Sequence, residues 1–374
     1  MVPRKNSSLK RIKHSVRFYF GEVDFPLIVS VIVLSLISLF NIYGLSQSVD
    51  YSYFSRQLAY VAFGIFIMVM FSFFDYRYFK NYSLPVMVGY VFVIFLLSLT
   101  FYSKTIRGVN SWIVLGNYTF EPSELAKLII IIVLAKYFSQ RHVHINQFKH
   151  IFVSGIYFFI PLAIILFQPD LGSAIILSLI WFGMLVAAGI NKKHLAAILC
   201  LALLAGGLGW FSVLKPYQKE RIVSFVNPYD DPLGSDYNLI QSQIAIGSGH
   251  IWGKGFQKGT QANLGFLPEP YNDFVFAATA EQFGILGIGL VVGLIFFLVS
   301  RILLIGKMAN SNFGKLFSIG MALFIFSHFF VGAGVNIGLM PITGLPFPFL
   351  SYGGSHYISL MIGLGILQSI KRYG

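Results

Sequence analysis

Charge is scarce in this chain and cysteine is nearly absent. Only 11% of the 374 residues are charged, against about 25% in an ordinary water-soluble domain, which excludes that class. The single cysteine, Cys200, rules out an intrachain disulfide and redox chemistry as the main function. It falls in the apolar run 195–214, to pack against lipid or a neighbouring helix. No small-residue cleavage site follows the first hydrophobic run, which is therefore read as a retained helix. The chain also lacks a P-loop glycine pattern, a Cys/His cluster with metal-ligand spacing and an internal repeat, so ATP-driven transport and structural zinc are not expected.

What the chain has instead is apolar length. Fifty-six per cent of its residues are hydrophobic, enough for about ten membrane spans of roughly 20 residues each. Runs with few charges lie near 26–46, 57–74, 84–103, 122–138, 151–168, 171–190, 194–214, 274–299, 316–338 and 352–370. They predict an all-α polytopic membrane protein with a basic tail over 1–25 and one membrane domain over 26–374. The long connector 215–273 separates the seventh and eighth spans.

The net charge of +13 would suggest nucleic acid in a soluble protein. In this background it points to an anionic lipid surface or a lipid-linked phosphate. Lys and Arg accumulate on the cytoplasmic side of membrane proteins, and Arg4, Lys5, Lys10, Arg11, Lys13 and Arg17 place the N-terminus there. Every second connector is then basic too, through Arg77 and Lys80, Arg141 and Lys149, Lys192 and Lys193, Arg301, Lys307 and Lys315, and finally Lys371 and Arg372. An even span count returns the C-terminus to the same side. The outer face receives the segments 104–121, 168–172, 215–273 and 338–355.

Seven cations nevertheless fall on that outer side: Lys104, Arg107, Lys215, Lys219, Arg221, Lys254 and Lys258. Two readings stand, headgroup contact by a loop lying on the membrane, or a cradle for a pyrophosphate leaving group. The second makes Arg221, Lys254, Lys258, Lys104 and Arg107 candidate substrate-binding residues. The stretch 238–261 mixes amphipathic sequence with glycines, as expected of a segment in the interface whose backbone approaches a ligand.

Asp273 opens the eighth span at its outer end. It has two readings, a helix N-cap or a base that takes the proton of an attacking hydroxyl; Glu269 is the nearest competitor. Glu124 and Lys127 stand three residues apart on one helical face, where burial in a membrane requires pairing, so they form an ion pair that is structural or shapes a substrate cavity. Asp170 is an N-cap or a support of the outer cavity. Glu281, eight residues past Asp273, faces protein or a cavity, with no partner legible. His328 and Asn336 read as satisfied interior polar groups.

Several motifs together carry a resemblance: EPSELAK at 121–127, QPDLG at 168–172, the run from KPYQKERIVSF to QSQIAIGSG at 215–249, GKGFQKGTQ at 253–261, LPEPYNDFVFA at 267–277 and GLMPITGLPFPFLSYGGS at 338–355. The chain resembles the SEDS (shape, elongation, division, sporulation) proteins from the first span to the last, and is more similar to the elongation member RodA than to the division member FtsW. The resemblance implies a peptidoglycan glycosyltransferase that polymerises lipid II, an undecaprenyl-pyrophosphate disaccharide-pentapeptide, at the outer face of the bacterial cytoplasmic membrane during elongation. It implies Asp273 as catalytic base, Glu124 and Lys127 as the family's membrane pair and Arg221 as its loop arginine. It also implies partnership with a class B penicillin-binding transpeptidase and other elongation-complex membrane proteins. No cofactor is evident, and a divalent ion, Mg or Mn, is an open alternative to loop cations at the pyrophosphate. The family usually has His-Thr before the aspartate, where this chain has Tyr271 and Asn272, and often Arg before the loop Trp, where it has Ser111. The rival readings are a lipid II flippase, a scaffold without chemistry and an FtsW-like division polymerase. A flippase is expected to place its site near the midplane on broken helices, whereas the unusual residues here cluster at one outer face.

Overall fold

A computed structural model describes residues 23–46, 51–103, 109–116, 118–141, 148–212, 214–227, 231, 232, 234 and 236–374. The tail over 1–22, and Lys104 and Arg107, lie outside the described residues. All ten apolar runs are helices: α1 (Phe25–Ser46), α2 (Ser52–Phe73), α4 (Ser83–Leu99), α5 (Pro122–Arg141), α6 (Phe148–Phe167), α7 (Leu171–Ala188), α8 (Lys192–Ser212), α12 (Val275–Met308), α13 (Asn312–Ile337) and α14 (Gly354–Tyr373). Short helices join them, α3 (Arg77–Asn81) after α2, and α9 (Pro216–Val226), α10 (Tyr237–Ser248) and α11 (Thr260–Asn263) within the long connector. A small hairpin, β1 (Ile113–Leu115) with β2 (Tyr118–Phe120), precedes α5. The fold is an all-α multi-pass membrane bundle.

Eight of the long helices are long and apolar enough to cross a membrane. The other two, α5 and α14, carry more polar residues, and most of their positions are buried. That follows from the cost of exposing polar groups to hydrocarbon: α13 packs on α5, α7 and α12, and α14 on α2 and α5, so the polar helices stay inside. At the opposite extreme, no residue of the apolar window in α8 is buried, and Cys200 on it is exposed, in keeping with a lipid-facing position.

The connectors sort to two ends, as the charge pattern predicts. At one end Arg301 and Lys371 hold Asp24, at 2.6 and 3.0 Å. Lys136 donates there to the carbonyls of Phe79 and Tyr82, and Arg77 bonds the Tyr373 carbonyl. At the other end lie the hairpin, the α6–α7 turn, α9 and the stretch 338–353.

Two details of the long connector add to that expectation. Part of the amphipathic stretch folds as α10 and packs one face on α12 and α13, with Ser242 donating to the Asn336 carbonyl at 2.8 Å, while Ile244, Ile251 and Trp252 stay exposed. Two of its glycines approach a helix backbone: a Cβ on Gly249 would sit 2.0 Å from the Ala280 carbonyl oxygen, and one on Gly253 2.2 Å from that of Gln282. The reason is a break in α12 at Gly284, whose φ of 66° is open to glycine but not to side chains without strain. The carbonyls of Glu281 and Gln282 are taken by the amides of Lys254 and Gly255, and the amides of Ile285 and Leu286 reach the carbonyls of His250 and Ile251. A broken span thus does occur, but its freed groups are satisfied by the connector and line no cavity described here.

Candidate active site

Eight separate stretches of the chain close around a cavity of about 280 Å³ at the hairpin end. Tyr60 comes from α2, Ser111 and Trp112 from the hairpin region, Glu121 from the turn into α5, Asp170 and Ser173 from the start of α7, Arg221 from α9, Asn272 and Asp273 from ahead of α12, Thr343 and Gly344 from the α13–α14 connector, and His356 from the first turn of α14. The charged side chains are three carboxylates, Glu121, Asp170 and Asp273, and one guanidinium, Arg221, among the described residues. Burial pushes the Glu121 carboxyl up to about 8 and that of Asp170 upward, with the Glu124 charge adding repulsion at each.

Asp273 is held by its backbone. Asn336 donates to the Asp273 carbonyl at 2.9 Å and accepts from the Ala277 amide at 3.0 Å, tying the segment to α13. Ser351 donates to the Asn272 carbonyl and the Tyr352 amide to that of Tyr271. Phe274, not Asp273, occupies the N-cap of α12, with no side-chain cap bond. Gly344, at φ 70°, brings the connector backbone alongside, where even a Cβ would lie only 3.8 Å from Asp273 Oδ2. Glu269, the competing carboxylate, accepts from Asn272 at 2.9 Å within its own turn and does not line the cavity.

Asp170 does both things expected of it. Its side chain accepts from the Ser173 amide at 3.0 Å as the N-cap of α7, and it faces the cavity. Arg221 donates to the Ile342 carbonyl at 3.2 Å and lies over the Tyr217 ring. It also lines a second, adjoining cavity of about 500 Å³ with Tyr217, Glu220 and Met340. The structure does not bring the other described cations to either cavity. Lys254 pairs with the buried Glu281 at 2.8 Å, because that carboxylate requires a counter-charge, and Lys258 is exposed on the same loop. Glu281 also accepts from the amides of Gln261 and Ala262, so it clamps the loop to α12. Tyr271 packs against Tyr53 with ring centroids 4.3 Å apart and tilted by 31°, while Ser111 is buried in the cavity wall.

Beneath the cavity Glu124 and Lys127 meet at 2.6 Å, both fully buried. Lys127 continues to His328 at 3.0 Å, whose other nitrogen donates to the Pro346 carbonyl at 3.1 Å. Glu124 continues to His356 at 2.7 Å. Glu124, His328 and His356 bring ligand-type atoms within 4.8 Å of one another. They do not fit Mg or Mn, since imidazoles suit softer ions and the Lys127 ammonium already occupies the cationic position between them. Sequence reading missed His356 and Glu121; the available signal was an ionisable residue within the EPSELAK motif and another directly after SYGGS.

The comparisons with known proteins agree with this architecture. The family model described as cell cycle protein, for FtsW, RodA and SpoVE, matches residues 19–374. The peptidoglycan glycosyltransferase MrdB of Escherichia coli K12 is 34% identical over 324 residues, covering 87% of each chain. Stage V sporulation protein E of Bacillus subtilis 168 is 33% identical, over 94% of this chain and 97% of that one. A chain from a solved peptidoglycan synthase complex, described as coordinating polymerization and crosslinking, superposes with a TM-score of 0.79 at 28% identity, over 94% of this chain and 98% of that one.

Proposed function

Because the chain belongs to the FtsW, RodA and SpoVE family of cell cycle proteins, we propose that its outer cavity is the site where a peptidoglycan glycosyltransferase joins lipid-linked sugars. Relatives named peptidoglycan glycosyltransferase cover nearly the whole chain, and those named MrdB and RodA place it with the elongation branch. The observation that carries the site is Asp273, fixed by its backbone at the wall of a cavity lined by carboxylates and one guanidinium.

The reaction follows from that arrangement. The 4-hydroxyl of the acceptor sugar attacks the anomeric carbon of the lipid-linked donor and forms the glycosidic bond as the bond to pyrophosphate breaks. Asp273 takes the hydroxyl proton, and attack opposite the leaving group inverts an α linkage to β. Undecaprenyl pyrophosphate departs, and Arg221, at the junction of the two cavities, stabilises its charge. Carboxylate oxygens suit a hard divalent ion, but among the described residues Asp273, Asp170 and Glu121 form no cluster of converging ligand atoms, so no step of this reaction is routed through Mg or Mn.

The experiment is polymerisation of labelled lipid II by purified protein and its Asp273→Asn variant. Asn leaves the segment folded but accepts no proton at neutral pH. The expected loss is on the order of 100-fold to 10,000-fold. Near wild-type polymer from the variant would remove Asp273 from the chemistry, and movement of lipid II across liposomes without polymer would favour a flippase.

The end of the bundle that gathers Arg77, Lys136, Arg301 and Lys371 is the cytoplasmic one by the positive-inside bias, with both termini on that side. A class B transpeptidase supplies the crosslinking that this chain lacks, as supported by the likeness to a synthase complex. Both are checked in native membranes: external labelling must miss a cysteine placed within 139–150, and the transpeptidase must co-purify.

A further inference from the structure

His356 stands at the boundary between the buried ion network and the cavity. Its Nδ1 lies 2.7 Å from Glu124 Oε2. A carboxylate only accepts, so Nδ1 carries the proton, and in the neutral ring Nε2 is a bare acceptor. The ring is only 5% exposed and lines the cavity, yet Nε2 is buried with no hydrogen-bond partner. Thr343 lines the same cavity, and its hydroxyl is also buried and unpartnered. Unsatisfied buried polar atoms are uncommon in folded proteins and costly to keep. Two on the wall of one cavity call for a ligand that completes them.

The chemistry of the two atoms narrows that ligand. The Nε2 lone pair needs a donor, which an ionised pyrophosphate substituted at both ends does not offer. The threonine hydroxyl donates as well as accepts. A sugar hydroxyl answers both, because it too is donor and acceptor at once.

We propose that His356 and Thr343 bind hydroxyl groups of the sugar in the cavity, with Glu124 as the positioning residue that fixes the His356 tautomer and turns its lone pair toward the substrate. This gives the Glu124–Lys127 pair a role beyond packing. Lys127 balances the carboxylate charge that His356 meets. His328, whose ring lies 4.4 Å from that of His356, has both nitrogens bonded, to Lys127 and to the Pro346 carbonyl, and takes no part in recognition.

The proposal rests on the glycosyltransferase reading, and the test separates the two. The full chain is assayed with lipid II as wild type, His356→Asn, His356→Gln and Thr343→Val. Asn keeps an amide where Nδ1 bonds Glu124 but has nothing in place of Nε2. It should hold the wild-type melting temperature and raise KM about three- to ten-fold at nearly unchanged kcat. Gln carries an acceptor to the Nε2 position and should recover much of that loss, which a purely structural histidine would not allow. Thr343→Val should raise KM similarly, and it decides the matter if the histidine variants do not fold. Wild-type KM in every folded variant overturns this assignment while leaving the enzyme reading intact. Absence of glycan from the wild type overturns that reading and this proposal with it.

Discussion

Two buried glutamates in this molecule are each held by a lysine, and they end in different places. Glu281 is fully buried and bonded to Lys254 at 2.8 Å, and its remaining lone pairs go to Thr260 and the amides of Gln261 and Ala262. Every bond it makes returns to one stretch of the connector, and the chain of contacts closes. Glu124 is equally buried and bonded to Lys127 at 2.6 Å, but its second oxygen leads to His356 and through it to the cavity wall. A buried ion pair in a membrane bundle therefore does not by itself mark function. What separates a clamp from a site is whether hydrogen-bonding capacity is left over at the end of the network.

The largest effect expected from breaking that contrast is on stability, at Glu281. Glu281→Ala leaves the Lys254 ammonium and two amides without their acceptor beside the helix break at Gly284. Lys254 is partly exposed and can be solvated, but each amide left buried without its acceptor costs about 1–3 kcal/mol, so the melting temperature in detergent should fall. Polymerisation per folded molecule should stay near wild type, because no Glu281 contact reaches either cavity. A folded Glu281→Ala protein with strongly reduced turnover would mean that the loop clamp also shapes the active site.

The same contrast explains what was legible in the sequence. Ten long helices, the two-ended sorting of connectors and the arrival of Asp273, Asp170 and Arg221 at one end of the bundle could be read from hydropathy, charge bias and motif, because each depends on local sequence. The positions of Lys254 and Lys258 could not. Their charge suggested a pyrophosphate cradle, and it takes the folded connector to show that Lys254 is consumed by a glutamate 27 residues further on. His356 was hidden for the opposite reason. It lies next to the SYGGS motif, but its meaning comes from a contact across 232 residues with Glu124, which no periodicity records. The break at Gly284 was likewise masked by an unbroken apolar run.

The smaller and sharper test is a double-mutant cycle on the pair beneath the cavity. Glu124→Gln leaves Lys127 as an uncompensated buried cation, and Lys127→Met leaves the carboxylate as an uncompensated anion, so each single change should destabilise the bundle. The double variant removes both charges together, and for contacting residues the coupling should return about 1–3 kcal/mol. If the pair were only structural, activity would return along with stability, as it should at Glu281 and Lys254. The geometry at His356 predicts otherwise. Gln at position 124 no longer provides the carboxylate that holds the imidazole as an Nδ1 donor, so the ring is free to turn or change tautomer. The double variant should therefore melt near wild type while its KM for lipid II stays raised severalfold. Recovery of both stability and KM would make the two glutamates equivalent and end the distinction between clamp and site.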